Sequence, residues 1–321
     1  MNIHELVDDL YEAFADRIGD PLSDSARDLP RALRLAPEPV PWSRVFSHEV
    51  TLGAPALFAE AMPQLNQGTL REAVLAHLLA VIDAFGTDRI EDEQVEASPS
   101  IFAVLGQARR ERDRAMVRIF KGPVPAESDF RTADATTLGA IRRERAMLLS
   151  GRAVDFDTYE RASLEKQCVG VLATVALARV NGWGDRRCRA ARETLESIWL
   201  GLQVGDDVVD WEDDLQRGGA WAVCLMRGRQ SSTDAGNGAI VGESIRAKVL
   251  RSGVLGAMLR RAQQHMHRAR RRASALGALR LAAWAGAQEE RLAALAAAET
   301  RSAGYAVRAH ALAAWAAEVL A

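Results

Sequence analysis

The chain has 321 residues, 48% of them hydrophobic and 26% charged, a balance that fills a sizeable core and excludes disorder as the dominant state. Its 41 Lys and Arg stand against 43 Asp and Glu, a formal net charge of −2, so the chain as a whole carries no electrostatic footprint for nucleic acid or an anionic membrane. Cys168, Cys188 and Cys224 are odd in number and form no C-x-x-C pair, which argues against a disulfide framework or structural zinc and fits a reducing compartment, the cytoplasm.

In chain order, Met1 to Asp9 is acidic and lacks the basic-then-apolar pattern of a secretory signal. A first helix is predicted near 2–18, and the proline-rich stretch Leu29 to Trp42 reads as an extended segment, so 1–42 forms a lead-in. Helices are predicted near 43–62, 68–85 and 98–121, the last closed by Gly122-Pro123-Val124-Pro125. All 10 prolines lie between Pro21 and Pro125. An interior proline costs a helix about 3 kcal/mol, and nothing beyond Pro125 breaks a helix by that route. Long helices are therefore predicted near 135–150, 156–181, 186–217, 239–272, 274–300 and 304–320. Leu195, Ile198, Leu202 and Val209 recur at helical steps, as do Leu276, Leu279, Ala283 and Trp284, whereas two-residue alternation is not evident.

The Gly/Ser-rich stretch Gly228 to Gly238 reads either as a surface connection or as a lid over a site. Apolar stretches such as Cys168 to Ala178 fall short of the ~20 residues of a spanning helix, so no stable membrane insertion is expected. The length exceeds the ~150-residue domain prior. With no internal repeat or clear linker, the expectation is nonetheless a single all-α domain over 1–321, a helical bundle.

The densest chemical signal is Gln203-Val204-Gly205-Asp206-Asp207-Val208-Val209-Asp210-Trp211-Glu212-Asp213-Asp214, at the end of an otherwise apolar helix. Asp206 and Asp210 are i and i+4 and share a face, which Asp213 extends and on which Gln203 and Trp199 also lie. Like charges at that spacing repel unless a cation sits between them. Carboxylates on a helix suit Mg²⁺, which typically uses one or two of them plus substrate phosphates, so the implied ligand is phosphorylated. The alternative is a solvated acidic helix end. Upstream, Tyr159 to Gln167 opens a second apolar helix carrying Arg161 and Lys166, each of which alone is an ordinary surface cation.

The run from Glu196 to Asp210 resembles the second aspartate-rich motif of the trans-isoprenyl diphosphate synthase and class I terpene synthase superfamily, where Gln-x-x-Asp-Asp-x-x-Asp ends a core helix. That superfamily places a diphosphate-binding lysine about one helix hairpin earlier, where Lys166 stands. The resemblance covers Tyr159 to Asp214. It implies a class I isoprenoid synthase-like bundle in which Asp206, Asp207 and Asp210 bind Mg²⁺, Gln203 lines the pocket and Lys166 holds the diphosphate. Arg161 stands where terpene synthases often carry a diphosphate-sensing arginine.

The sequence departs from the superfamily elsewhere. The candidate first motif, His77 to Glu93, has Ala84 and Phe85 where paired acids would stand and leaves Asp83, Thr87, Asp88 and Asp92. Asp83 with Thr87, or Asp88 with Asp92, could still meet one ion, and Asp88 to Glu93 also reads as an acidic loop. Chain-elongating synthases hold a second diphosphate on a Gly-Gly-Lys-Arg-x-Arg-Pro element, yet Glu49 to Pro55 supplies no cation, and Val95 to Ala103 has no basic residue.

One diphosphate seat points to a Mg²⁺-dependent terpene synthase that ionises and cyclises a linear prenyl diphosphate. The alternatives are a prenyltransferase that passes the allylic cation to a non-isoprenoid acceptor, and a non-catalytic synthase-like partner subunit; a homodimer is left open. Aromatic faces stabilise a cation by about 0.5–2 kcal/mol each, and Phe58, Phe85, Phe102 and Trp199 are candidates for such a wall, each also readable as core packing. His265 and His267 point to different helix faces and do not form a zinc pair. The arginines from Arg260 to Arg272 read as a solvated face. So do Arg109, Arg110, Arg112 and Arg114, although one of these could reach the diphosphate.

Overall fold

The computed structural model describes residues 2–231 and 244–320, and every regular element among them is helical, as the proline distribution and periodicity imply. In order these are α1 (Ile3–Ile18), α2 (Leu22–Arg27), α3 (Leu29–Ala32), α4 (Trp42–Val45), α5 (Glu49–Phe58), α6 (Gln67–Glu91), α7 (Pro99–Phe120), α8 (Phe130–Ser150), α9 (Phe156–Lys166) and α10 (Val169–Val180). They continue with α11 (Asp185–Val209), α12 (Trp211–Arg217), α13 (Trp221–Ser231), α14 (Ile245–Ser252), α15 (Val254–Leu276) and α16 (Leu279–Leu320). The chain falls into two compact units assembled from separate stretches. One comprises Met1–Arg142, Glu165–Glu196 and Arg270–Ala283, and the other Arg143–Leu164, Ser197–Ala269 and Trp284–Ala321.

The first unit is built round α6. Asn66 caps it, its side chain accepting from the Thr69 N–H at 3.1 Å, and the turns from Leu70 to Ile82 are apolar on most faces and buried. A helix apolar on most faces has to be surrounded, and α5, α7 and α10 pack against it. The approach of α7 is close: a Cβ on Gly86 would stand 2.8 Å from the Leu105 side chain. Ser98 caps α7, with Pro99 in its first turn.

His77 performs a local repair. Pro55 inside α5 has no N–H to give the Thr51 carbonyl four residues earlier, and the buried His77 Nε2 donates to that oxygen at 3.0 Å. Burial holds its imidazolium form down, the pKa falling to about 4 despite backbone hydrogen bonds that oppose the shift. We expect His77→Leu to cost about 1–3 kcal/mol by orphaning a buried carbonyl. Urea unfolding measures it, and an unchanged midpoint would refute the role.

The second unit's core joins the end of α11 to α13, α15 and the start of α16 through Tyr159, Val204, Val208, Trp211, Trp221, Leu225, Met258, Leu259, Met266 and Leu292.

Several boundaries differ from expectation. The helix predicted over 156–181 is interrupted at Gln167–Cys168, where the Gly170 N–H closes a three-residue turn on the Gln167 carbonyl. That over 186–217 kinks at Asp210 (φ −100°, ψ 6°). The stretch predicted as 43–62 divides into α4 and α5, with Gly53 outside helical dihedrals. Leu29–Ala32 forms a helical turn within the segment read as extended. The final two helices are one, since neither Pro nor a cap interrupts 301–303 and a lone Gly304 costs only about 1 kcal/mol. Gly228 lies in α13; most of the expected surface connection or lid, and the start of the helix predicted from 239, lie outside the described residues. No helix among the described residues is long and apolar enough to cross a membrane.

Candidate functional site

In the second unit the acidic run occupies the last turn of α11 and the first turn of α12. Asp206 and Asp210 are exposed, whereas Asp207, one position round the helix, turns inward and is 7% exposed. Both Asp207 oxygens accept hydrogen bonds, Oδ2 from the Tyr159 hydroxyl and Oδ1 from Gln203 Nε2 at 2.8 Å. Tyr159 is buried, with its ring 4.9 Å from that of Trp221, and Trp221 Nε1 donates to Glu144 Oε1 at 2.8 Å.

Asp214 reports the field of the run. Burial pushes its carboxyl up to about 6, Arg217 opposes this, and the charges of Asp210, Asp206 and Glu144 raise it further. Burial is the main cause of the upward shift, and the neighbouring acids add to it. Asp210 begins α12 without bonding its side chain to the helix N-terminus. Trp199 is buried, and Arg161 is exposed and contributes to holding the Asp155 carboxyl below its usual range, behind hydrogen bonds from Thr158.

Beside Tyr159, Glu160 is drawn the other way. Burial would push its carboxyl up, but hydrogen bonds and charge from His265 (Nε2 at 2.8 Å) and Arg261 hold it down to about 2. A carboxylate whose folded pKa lies below its unfolded 4.5 stabilises the fold above pH 4.5 and loses that contribution as pH falls towards 2. Glu160→Gln should flatten the unfolding free energy against pH across this window, as acid titrations followed by circular dichroism would show; an unchanged slope would remove Glu160 as its source.

In the first unit Asp83 and Asp88 of the degenerate motif are paired with cations. Asp83, 5% exposed, accepts from Arg109 Nε at 2.9 and 2.8 Å, and Arg112 Nη1 lies 3.8 Å away. Arg109 also reaches Thr87 Oγ1 at 3.2 Å. One cation does meet Asp83 and Thr87 together, but it is a guanidinium. Lys166 Nζ pairs with Asp88 at 2.9 Å, and Asp92 is the C-cap of α6.

Phe58 is buried in the core, Phe85 stacks at a tilt on Phe46 with centroids 4.6 Å apart, and Phe102 is 55% exposed on α7. Exposure removes Phe102 as a wall within this unit. Sequence reasoning missed Tyr159, Glu144 and the pairing of Arg109 and Arg112 with Asp83. The last had a signal: Asp83 ends an apolar run and needed a cation from a neighbouring helix.

A hard divalent ion fits these two groups of residues differently. Asp206 and Asp210, with Asp214 nearby, offer oxygen donors whose mutual repulsion a cation would relieve. Asp83 offers none without breaking its arginine pairs. Among the described residues no three or more His, Cys, Asp or Glu are grouped so that they could hold a metal ion, so an ion on the run would take at most two of these carboxylates and complete its shell from phosphate and water.

No protein-family model matches the sequence, and no curated protein matches it. Solved structures do. A polyprenyl synthetase from Streptomyces coelicolor A3(2) superposes with a TM-score of 0.65 at 14% identity, covering 90% of this chain and 97% of its own. A geranylgeranyl pyrophosphate synthetase from the archaeon Geoglobus acetivorans gives 0.59 at 17% identity, covering 90% and 98%. The chain has the trans-isoprenyl diphosphate synthase fold. A decaprenyl diphosphate synthase from Rhodobacter capsulatus, at 0.55 and 15% identity over 87% of this chain and 99% of its own, has the same architecture. Within the isoprenyl synthase fold the identities are low, and the site here is characterised by its own geometry.

Proposed function

We propose that the chain is a class I prenyltransferase that takes one allylic prenyl diphosphate and passes its prenyl group to a non-isoprenoid acceptor. The observation carrying this reading is the acidic run at the end of α11, where Asp206 and Asp210 stand exposed and their charge reaches Asp214. The solved structures that resemble the chain are named as prenyl synthases, which favours transfer over the cyclisation suggested by sequence. The absence of cations between Glu49 and Pro55 argues that the acceptor brings no second diphosphate.

In the reaction the allylic C1–O bond breaks with its electron pair leaving on diphosphate, an acceptor nucleophile forms the new bond to C1, and a proton leaves the acceptor. Asp206 and Asp210 would hold Mg²⁺, which when bound supplies positive charge to the departing diphosphate. Arg161 would add a further positive charge if it serves the role its motif position implies.

A second reading, the non-catalytic partner, is favoured by one observation: Asp83 and Asp88 are already neutralised by Arg109, Arg112 and Lys166. Incubation with geranyl, farnesyl or geranylgeranyl diphosphate and Mg²⁺, with and without nucleophilic acceptors, separates these. Acceptor adducts with released diphosphate support transfer, cyclic products without adducts restore cyclisation, and no release with a co-purifying synthase-like chain supports the partner.

A further inference from the structure

We infer that Asp207 is the anchor of a buried clamp rather than an ion ligand, and that Tyr159 is the positioning residue which, with Gln203, sets the end of α11 so that Asp206 and Asp210 face one cation. This rests on the reading of that run as a Mg²⁺–diphosphate seat.

Helix ends fray, and this one carries charges that repel. α11 stops at Val209, and Asp210 departs from helical dihedrals, so its direction relative to Asp206 depends on what holds the final turn. Asp207 lies in that turn. Its carboxylate is withdrawn from solvent and receives the Tyr159 hydroxyl on one oxygen and the Gln203 amide on the other. A buried carboxylate with both oxygens hydrogen-bonded is a stable fixture, and adding a metal bond would disrupt it.

Tyr159 is itself immobilised. Its ring packs on Trp221, whose indole N–H is tied to Glu144, and the next residue, Glu160, is pinned to Arg261 and His265 of α15. The clamp thus connects α8, α9, α11, α13 and α15 to one helix terminus.

The test uses the full chain and its thermal stabilisation by Mg²⁺ in the presence of inorganic pyrophosphate, a binding readout independent of turnover. Tyr159→Phe keeps the ring and its packing but removes the hydroxyl, and is expected to raise the Mg²⁺ concentration for half-maximal stabilisation about tenfold while leaving the Mg²⁺-free circular dichroism spectrum unchanged. Asp207→Asn keeps one oxygen to accept from Tyr159, and its new N–H can donate to Gln203 Oε1 once that amide turns over, so both clamp contacts persist on a poor ion ligand and the midpoint should stay within about twofold of wild type. Gln203→Met removes the second clamp bond and should shift the midpoint in the same direction as Tyr159→Phe.

A large loss in Asp207→Asn with little change in Tyr159→Phe would make Asp207 a ligand and overturn the clamp, as would a wild-type chain that Mg²⁺ and pyrophosphate do not stabilise. If the wild type binds both but releases no diphosphate from any prenyl substrate, the functional reading fails and the clamp survives.

Discussion

Alanine at Asp206 or Asp210 is expected to lower Mg²⁺-dependent diphosphate release by about 10²–10³-fold, the scale seen when one transition-state charge stabiliser is removed, while the fold becomes slightly more stable. The two signs arise from one cause. Each carboxylate raises the electrostatic energy of the acidic run, whose charge adds to the burial that holds Asp214 up near 6. Removing one like charge at helical spacing recovers about 0.2–0.5 kcal/mol.

The pH dependence follows with its sign. Asp214 has a folded pKa above its unfolded 3.8, so its ionisation destabilises the fold as pH rises from 3.8 through about 6. That loss should shrink in Asp210→Ala. Steady-state pyrophosphate release and chemical denaturation across pH check both halves. Loss of activity with loss of stability would mean that the acids are structural, and undiminished release in both variants would end the proposal.

The parts legible in sequence are those decided within one helix. Asp206 and Asp210 share a face because they are i and i+4, and α6 had to be central because its turns from Leu70 to Ile82 are almost wholly apolar. Asp207 is expected beside Asp206 and Asp210 as an ion ligand; it turns inward beside the buried Val204 and Val208, to a partner, Tyr159, 48 residues away on another helix. Asp83 finds Arg109 across 26 residues, and helical periodicity carries no information on which residues of two packed helices meet. The division into two units was invisible for a related reason: each is assembled from stretches far apart in sequence, so no linker marks the boundary.

Arg112→Met should cost about 3–5 kcal/mol, the scale for removing one partner of a buried ion pair, and more than any surface arginine of α7. Arg112 is 1% exposed. It gives both terminal nitrogens to Asp134 at 2.8 Å, its Nε to Asp113 at 3.0 Å, and stacks over the Phe130 ring at 4.1 Å. It also lies against Asp83, whose carboxyl burial pushes up and Arg109 and Arg112 pull down. Methionine retains most of the volume and none of the charge, removing both guanidinium bonds of the half-buried Asp134 and leaving Asp83 to Arg109 alone. Urea denaturation of the single variants and of Arg112→Met with Asp134→Leu separates charge from packing: the double variant should recover part of the loss, because an apolar pair does not need the neutralisation an isolated carboxylate does. A cost below about 1 kcal/mol for Arg112→Met would mean that its pair with Asp134 does not hold the fold. A cost at the expected scale makes the arginines of α7 structural, Arg112 through Asp134 and Arg109 through Asp83, and leaves the acidic end of α11 to carry the chemistry.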